Sequence, residues 1–206
     1  MQQEAVIIAN GQFPKKGNVI DILKESEYLV CCDGAIEHLE RKHISPDIIV
    51  GDLDSFPEEY YAKYHNKIVH IEEQDTNDLS KAFNYLVEKG FNKITILGAT
   101  GKRDDHTLAN ISLLYNYNKK AETEIVTDYG RWNVIDKSTE LKSHVGQQVS
   151  LFSNNREAQM FSEGLKYPLN GMIFDELWKG TLNESISNSF SIEFKDAQVL
   201  IFREFI

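Results

Sequence analysis

Apolar residues along the first two thirds of the chain fall into short, nearly unbroken runs. These are Ala5–Ala9, Tyr28–Cys32, Asp47–Val50, Lys67–Ile71, Lys93–Leu97 and Thr123–Thr127. Runs of this length without alternation predict strands covered on both faces. Between them the spacing changes to that of helices. Leu79, Ala82, Phe83 and Leu86 fall at i, i+3, i+4 and i+7 and predict an amphipathic helix over Asp78–Glu88. Val19–Leu23, Ala35–Lys42 and Glu58–Tyr64 read as shorter helices, and the helix after Gly98 carries Leu108, Ile111 and Tyr115 on its expected packing face. Strands alternating with helices imply βαβ crossovers and a mostly parallel sheet.

Past about Arg131 helical spacing disappears. Short alternating runs take over at Gln148–Phe152, Phe190–Phe194 and Val199–Phe202, punctuated by turn signals at Asn154-Asn155, Asn170-Gly171, Lys179-Gly180 and Lys195-Asp196. This pattern predicts a small antiparallel β-sandwich. The expected fold class is therefore α/β, a Rossmann-like N-terminal part over residues 1–135 with a β-sandwich over 136–206. A unit of about 70 residues is marginal alone, so the sandwich is expected to bury a face against another surface.

Charge narrows the function classes. The chain carries a net charge of −10 with a pI near 5.1 and no basic stripe, which argues against nucleic acid as the main partner. Residues 1–135 hold 22 acidic against 15 basic side chains, so most of the excess lies in the α/β part. Cys31 and Cys32 are the only cysteines, and adjacent strand residues point to opposite faces, which disfavours a disulfide. A reducing, cytoplasmic setting is expected. No stretch approaches the roughly 20 apolar residues of a membrane span, and no signal peptide is recognisable.

Three charged clusters follow predicted strands: Gly51-Asp52-Leu53-Asp54-Ser55, Gln74-Asp75-Thr76-Asn77-Asp78 with Lys81, and Gly98-Ala99-Thr100-Gly101-Lys102-Arg103-Asp104-Asp105-His106. An open α/β sheet gathers ligand groups at the carboxyl ends of its strands. In an extended segment Asp52 and Asp54 point the same way, and two carboxylates 5 Å apart repel by roughly 3 kcal/mol at an effective dielectric of ~20. A divalent cation reverses that sign, and Mg²⁺ commonly takes one or two carboxylates together with phosphate oxygens. The competing readings are ordinary: a solvated turn at Asp52–Asp54, helix capping at Asp75–Asp78 and at Asp105, and a surface pair for Lys81. The glycine turn is not a Walker loop, because its glycine spacing is too short and Arg follows Lys102. Its backbone N–H groups can still cradle phosphate, with Arg103 adding a bidentate contact.

The order of these clusters, with Asp33-Gly34, Leu108-Ala109-Asn110, Gly164-Leu165-Lys166-Tyr167-Pro168-Leu169 and Ser185-Ile186-Ser187-Asn188, resembles the thiamine pyrophosphokinase family over nearly the whole chain. The family often has Gly and Ala-Asn after Asp-Gly, where this chain has Ala35-Ile36-Glu37. The resemblance implies an N-terminal domain binding ATP and magnesium, and a sandwich binding thiamine. It implies a homodimer with active sites at the subunit interface. Asp52, Asp54 and Asp78 resemble the magnesium ligands, and Asp33, Gln74, Asp75, Lys81, Arg103 and His106 the nucleotide-binding groups. Asp105 is the candidate for orienting or deprotonating the thiamine hydroxyl. Ser187 and Asn188 are candidates for hydrogen-bonding the aminopyrimidine, and Phe190 or Trp178 for stacking on it.

Overall fold

A computed structural model describes residues 3–205. The chain divides between Asp128 and Tyr129 into two compact units.

The first unit alternates strand and helix in chain order: β1 (Glu4–Ile8), α1 (Gly17–Lys24), β2 (Leu29–Cys32), α2 (Ile36–Arg41), β3 (Ile48–Gly51), α3 (Tyr61–Tyr64), β4 (Ile68–His70), α4 (Asp78–Glu88), β5 (Lys93–Leu97), α5 (Asp104–Tyr117) and β6 (Glu122–Val126). The strands pair in the order β6-β5-β1-β2-β3-β4, and every pair is parallel. Burial on both faces explains the unbroken apolar runs: Ile7, Ile8, Val30, Cys31, Ile49, Val50, Ile94 and Ile96 lie in the core. Both cysteines are buried as free thiols.

Chain direction along the sheet reverses at β1, which has β5 on one side and β2 on the other. A doubly wound sheet opens a crevice beyond the carboxyl ends of its strands at such a point. Here two loops leave β1 and β5 side by side. Gly11 N–H donates to Gly98 O at 2.6 Å and Gln12 N–H to Thr100 O at 2.7 Å. Gly98 has φ +65°, and a Cβ on it would lie 2.5 Å from Ala9 O, so this close approach requires glycine.

Helix α4 keeps its predicted span and face, with Leu79, Ala82, Phe83 and Leu86 buried. The Phe83 ring stacks on Tyr117 of α5 at 3.8 Å between centroids, and the Tyr117 hydroxyl hydrogen-bonds Ser80 Oγ at 2.7 Å. Two such contacts fix the start of α4, where the acidic side chains lie. In α5 the packing face differs from the predicted one. Leu108 is 67% exposed, whereas Leu114 and Tyr117 are buried.

The second unit is all β: β7 (Gly130–Ile135), β8 (Thr139–Lys142), β9 (Gln148–Ser153), β10 (Gln159–Glu163), β11 (Asn170–Ile173), β12 (Asn183–Glu184), β13 (Ser189–Glu193) and β14 (Val199–Glu204). Two antiparallel sheets form, ordered β12-β9-β14-β7 and β11-β10-β13-β8. Alternate residues of the strands, among them Val149, Leu151, Met160, Phe190, Ile192 and Ile201, meet in one core. Strand β7 belongs to this unit, so the division lies seven residues before the predicted 135/136 boundary. The Asn170-Gly171 signal opens β11 instead of a turn, close to the register shift in its pairing with β10. Among the described residues no helix is long and apolar enough to cross a membrane.

Candidate active site

Three carboxylates from different elements meet at the carboxyl edge of the first unit's sheet. Asp33 follows β2, Asp52 follows β3 and Asp78 opens α4. One ligand oxygen from each lies within 4.8 Å of the others. Gly51 makes this possible, since a Cβ there would stand 2.7 Å from Asp33 Cγ. Asp33 is 1% exposed; its Oδ1 accepts the Gly34 N–H at 2.5 Å, while its buried Oδ2 has no hydrogen-bond partner. A buried acceptor without a donor is costly and calls for a cation or water.

The cluster carries a built-in countercharge. Lys81, one turn into α4, places its ammonium 2.8 Å from Asp52 Oδ2 and 3.4 Å from Asp78 Oδ1. Its side chain is 1% exposed, so the surface-pair reading does not hold. The Lys81 hydrogen bond holds the Asp52 carboxyl below its ordinary range, helped by the Asp54 N–H. Burial, and then the neighbouring acids, push Asp33 and Asp78 up. Burial opposes the charge on Lys81, but its two carboxylate partners outweigh it and raise the ammonium. Two acids raised and one lowered around a single ammonium describe a site with excess negative charge, suited to a further cation.

Asp54 stands outside this group. Leu53 has φ +68°, so the segment is a turn and not the extended backbone that a two-residue spacing assumes, though the Asp54 charge still acts on Asp78. The Asp54 side chain is exposed, and its N–H instead donates to Asp52 Oδ1 at 3.2 Å. Gln74 reaches the cluster through Nε2, 3.2 Å from Asp52 Oδ2. Asp75 is exposed in a turn organised by Glu73, whose carboxylate accepts the N–H groups of Asp75 and Thr76 and the Thr76 hydroxyl. The cap of α4 is Asn77, which accepts the Ser80 N–H at 2.9 Å. Asn77→Ala is expected to cost about 1 kcal/mol. Chemical denaturation checks this, and Asn77→Ser should recover most of the loss.

Beside the carboxylates runs a cleft of about 340 Å³, lined among others by Asn10, Asp78, Lys102, Arg103, His106 and Asn110. Lys102 reaches across the two glycine loops, 2.9 Å from both Asn10 O and Asn10 Oδ1. Asn110 ties α5 to the Gly98 loop through Ala99 O at 2.8 Å, and accepts from Asn77 at 3.2 Å. Arg103 and Asp105 form a bidentate pair at the start of α5, and the His106 N–H also donates to Asp105. The cleft thus offers two cations, a helix start and an acid cluster, which together suit a metal-bound polyphosphate.

In the second unit Ser187 and Asn188 precede β13. The Ser187 hydroxyl donates to Ser189 O, leaving its lone pairs free to accept. Phe190 is 1% exposed in the sandwich core and has no open face for a ligand. Trp178 is 67% exposed, with its indole N–H donated to Glu176.

A family model described as the thiamin pyrophosphokinase catalytic domain matches residues 19–127, and one described as the thiamin pyrophosphokinase substrate-binding domain matches residues 130–202. The chain belongs to the thiamin pyrophosphokinase family. Among curated members, thiamin pyrophosphokinase 1 of Caenorhabditis elegans is 34% identical over 117 residues, covering 52% of this chain and 48% of that protein. Thiamine pyrophosphokinase of Bacillus subtilis is 31% identical over 143 residues, covering 62% of this chain and 63% of that protein. The chain therefore spans between about a third and under two thirds of the length of the curated relatives it matches. The crystal structure of the Bacillus subtilis thiamine pyrophosphokinase superposes with a TM-score of 0.82 at 22% identity over 98% of this chain and 99% of that one. The Candida albicans thiamin pyrophosphokinase gives 0.81 at 21%, over 100% and 90%. These likenesses carry the family fold, and both family domains fall on the two units observed here.

Two members of the site were not singled out for these positions by the sequence pattern. Asp33 was expected among the nucleotide-binding groups, yet it stands within the carboxylate cluster. Lys102, whose sequence context fails the Walker pattern, lines the cleft. Its signal was its place between Gly101 and the helix start.

Proposed function

We propose that the chain is a thiamine diphosphokinase, transferring the diphosphate of ATP to the hydroxyl of thiamine and releasing AMP. The observation that carries this reading is the meeting of Asp33, Asp52 and Asp78, with one buried oxygen lacking a partner, beside a cleft bearing Lys102 and Arg103. The donor set is all carboxylate oxygen, which suits a hard cation such as magnesium. Asp52 and Asp78 with Asp33 would hold the ion, with Asp54, whose charge also acts on Asp78, as a further ligand and Asp75 close by. Bound magnesium supplies charge neutralisation on the phosphate oxygens and the departing AMP.

The remaining work is positioning. Lys102, Arg103, His106 and the N–H groups at the start of α5 hold the phosphates, and Gln74 braces Asp52. Lys81 keeps Asp52 and Asp78 aimed at one point. Asp105, paired with the cleft-lining Arg103, would accept the hydroxyl proton. Ser187 and Asn188 bind the aminopyrimidine, Ser187 as acceptor for its exocyclic amine, and Trp178 offers an aromatic face. Thiamine is a cation, so the acidic site also favours its approach. Ser187→Ala is expected to raise the thiamine KM about 5- to 10-fold, the worth of one hydrogen bond, with the ATP KM unchanged. Steady-state kinetics with each substrate varied checks this.

The enzyme acts as a cytoplasmic homodimer with active sites at the subunit interface. Exposed apolar side chains of the second unit support this, among them Phe161, Met172 and Ile173 on β10 and β11. Gel filtration across micromolar concentrations is expected to return the dimer mass; a monomer mass would count against a shared site. A substrate panel tests the reaction itself. AMP release should need thiamine, and release with a pterin alcohol in its place would reassign the substrate.

A further inference from the structure

The carboxylate assigned to receive the hydroxyl proton is already engaged. Arg103 Nε donates to Asp105 Oδ1 at 3.0 Å and Nη2 to Oδ2 at 2.5 Å, while the His106 N–H donates to Oδ1 at 2.9 Å. A carboxylate so held is a poor base. The Arg103 guanidinium, and after it the His106 N–H, keep it well below the usual carboxylate range.

The pair is also easily parted. The side chains of Arg103 and Asp105 are 68% and 61% exposed, so water screens their attraction. Arg103 lines the cleft, with Lys102 on its own loop and Asp78 on α4 as the other charged groups there, and with His106 one turn on. A phosphate offers the guanidinium the same bidentate geometry with more charge.

We propose that Arg103 is a positioning residue that changes partners. It clamps Asp105 while the cleft is free of nucleotide, and phosphates entering the cleft draw it away and release Asp105 as proton acceptor. The inference rests on the diphosphotransfer reading. In that reaction the hydroxyl oxygen bonds to the β-phosphorus and the bond from the β-phosphorus to the α–β bridging oxygen breaks. AMP leaves with the electron pair, and the hydroxyl proton passes to Asp105 and on to water. The acceptor is then armed only when the nucleotide is in place.

Calorimetric titration with α,β-methylene-ATP, which cannot transfer its diphosphate, tests the exchange. Asp105→Asn is expected to bind this analogue about two- to five-fold more tightly than the unmodified protein, because Arg103 no longer has to be detached. In an Arg103→Gln background the same substitution should leave affinity unchanged. Equal or weaker binding by Asp105→Asn would overturn the proposal. Equal tightening in both backgrounds would also overturn it, since that reports only relief of repulsion between Asp105 and phosphate. Turnover of Asp105→Asn should fall about 100-fold or more; retained turnover removes Asp105 as acceptor. AMP release by the unmodified protein, measured in parallel, separates failure of the switch from failure of the reaction assigned. Both side chains are exposed, so neither substitution disturbs the core.

Discussion

Replacing Asp52 by Asn should lower turnover 100-fold or more, about 3 kcal/mol of transition-state stabilisation, while the protein stays folded. Asp52 is the acid on which the site converges. It shares a common point with Asp33 and Asp78, accepts Lys81 at 2.8 Å, and receives the Gln74 amide and the Asp54 N–H. Lys81 keeps it ionised through the neutral range. Asn preserves its shape and removes the charge that both the ammonium and a metal use. Steady-state AMP release at saturating magnesium measures the loss, and a thermal melt verifies folding. Near-normal turnover would remove Asp52 from the centre of the site.

Lys81→Met should be the more destructive change for the fold. The methionine keeps the apolar stem but leaves Asp52 and Asp78 facing each other without their ammonium, beside the buried Asp33. Breaking a fully buried pair costs about 3–5 kcal/mol. Asp78 is 35% exposed, and solvent screening lowers the expected cost to about 2 kcal/mol. For a chain of this size that is a drop of roughly 4–8 °C in Tm. Magnesium should restore more stability to the variant than it adds to the unmodified protein, because it replaces the missing positive charge. A Tm that neither falls nor responds to magnesium would show that the ammonium does not compensate the carboxylates.

The strands of the first unit were legible as unbroken apolar runs buried on both faces, and its longer helices by helical spacing. Helix α4 is the clearest case, with four apolar positions on one face and a capping residue before it. What depends on tertiary placement was harder to read. Asp33 and Asp52 are brought together by the pairing of β2 with β3 and by the room that Gly51 leaves. The two-residue spacing of Asp52 and Asp54 suggested a shared face, but that holds only for extended backbone, and Leu53 is left-handed. Leu108 misled for a related reason: helical spacing gives a face, while the packing partner decides which face is buried, and Tyr117 stacks on Phe83 from another side of α5. In the second unit alternation located β9, β13 and β14 but left β7, β8, β10, β11 and β12 unmarked, and Asn170-Gly171 opens β11 because glycine suits a strand irregularity as well as a turn.

The central claim is that acids gathered at one sheet edge serve diphosphate transfer to thiamine. The most direct measurement is AMP release from ATP and magnesium, with and without thiamine. The expected result is AMP formed in step with thiamine diphosphate, and none above background when thiamine is left out. AMP release independent of thiamine, or none with all three present, would contradict it.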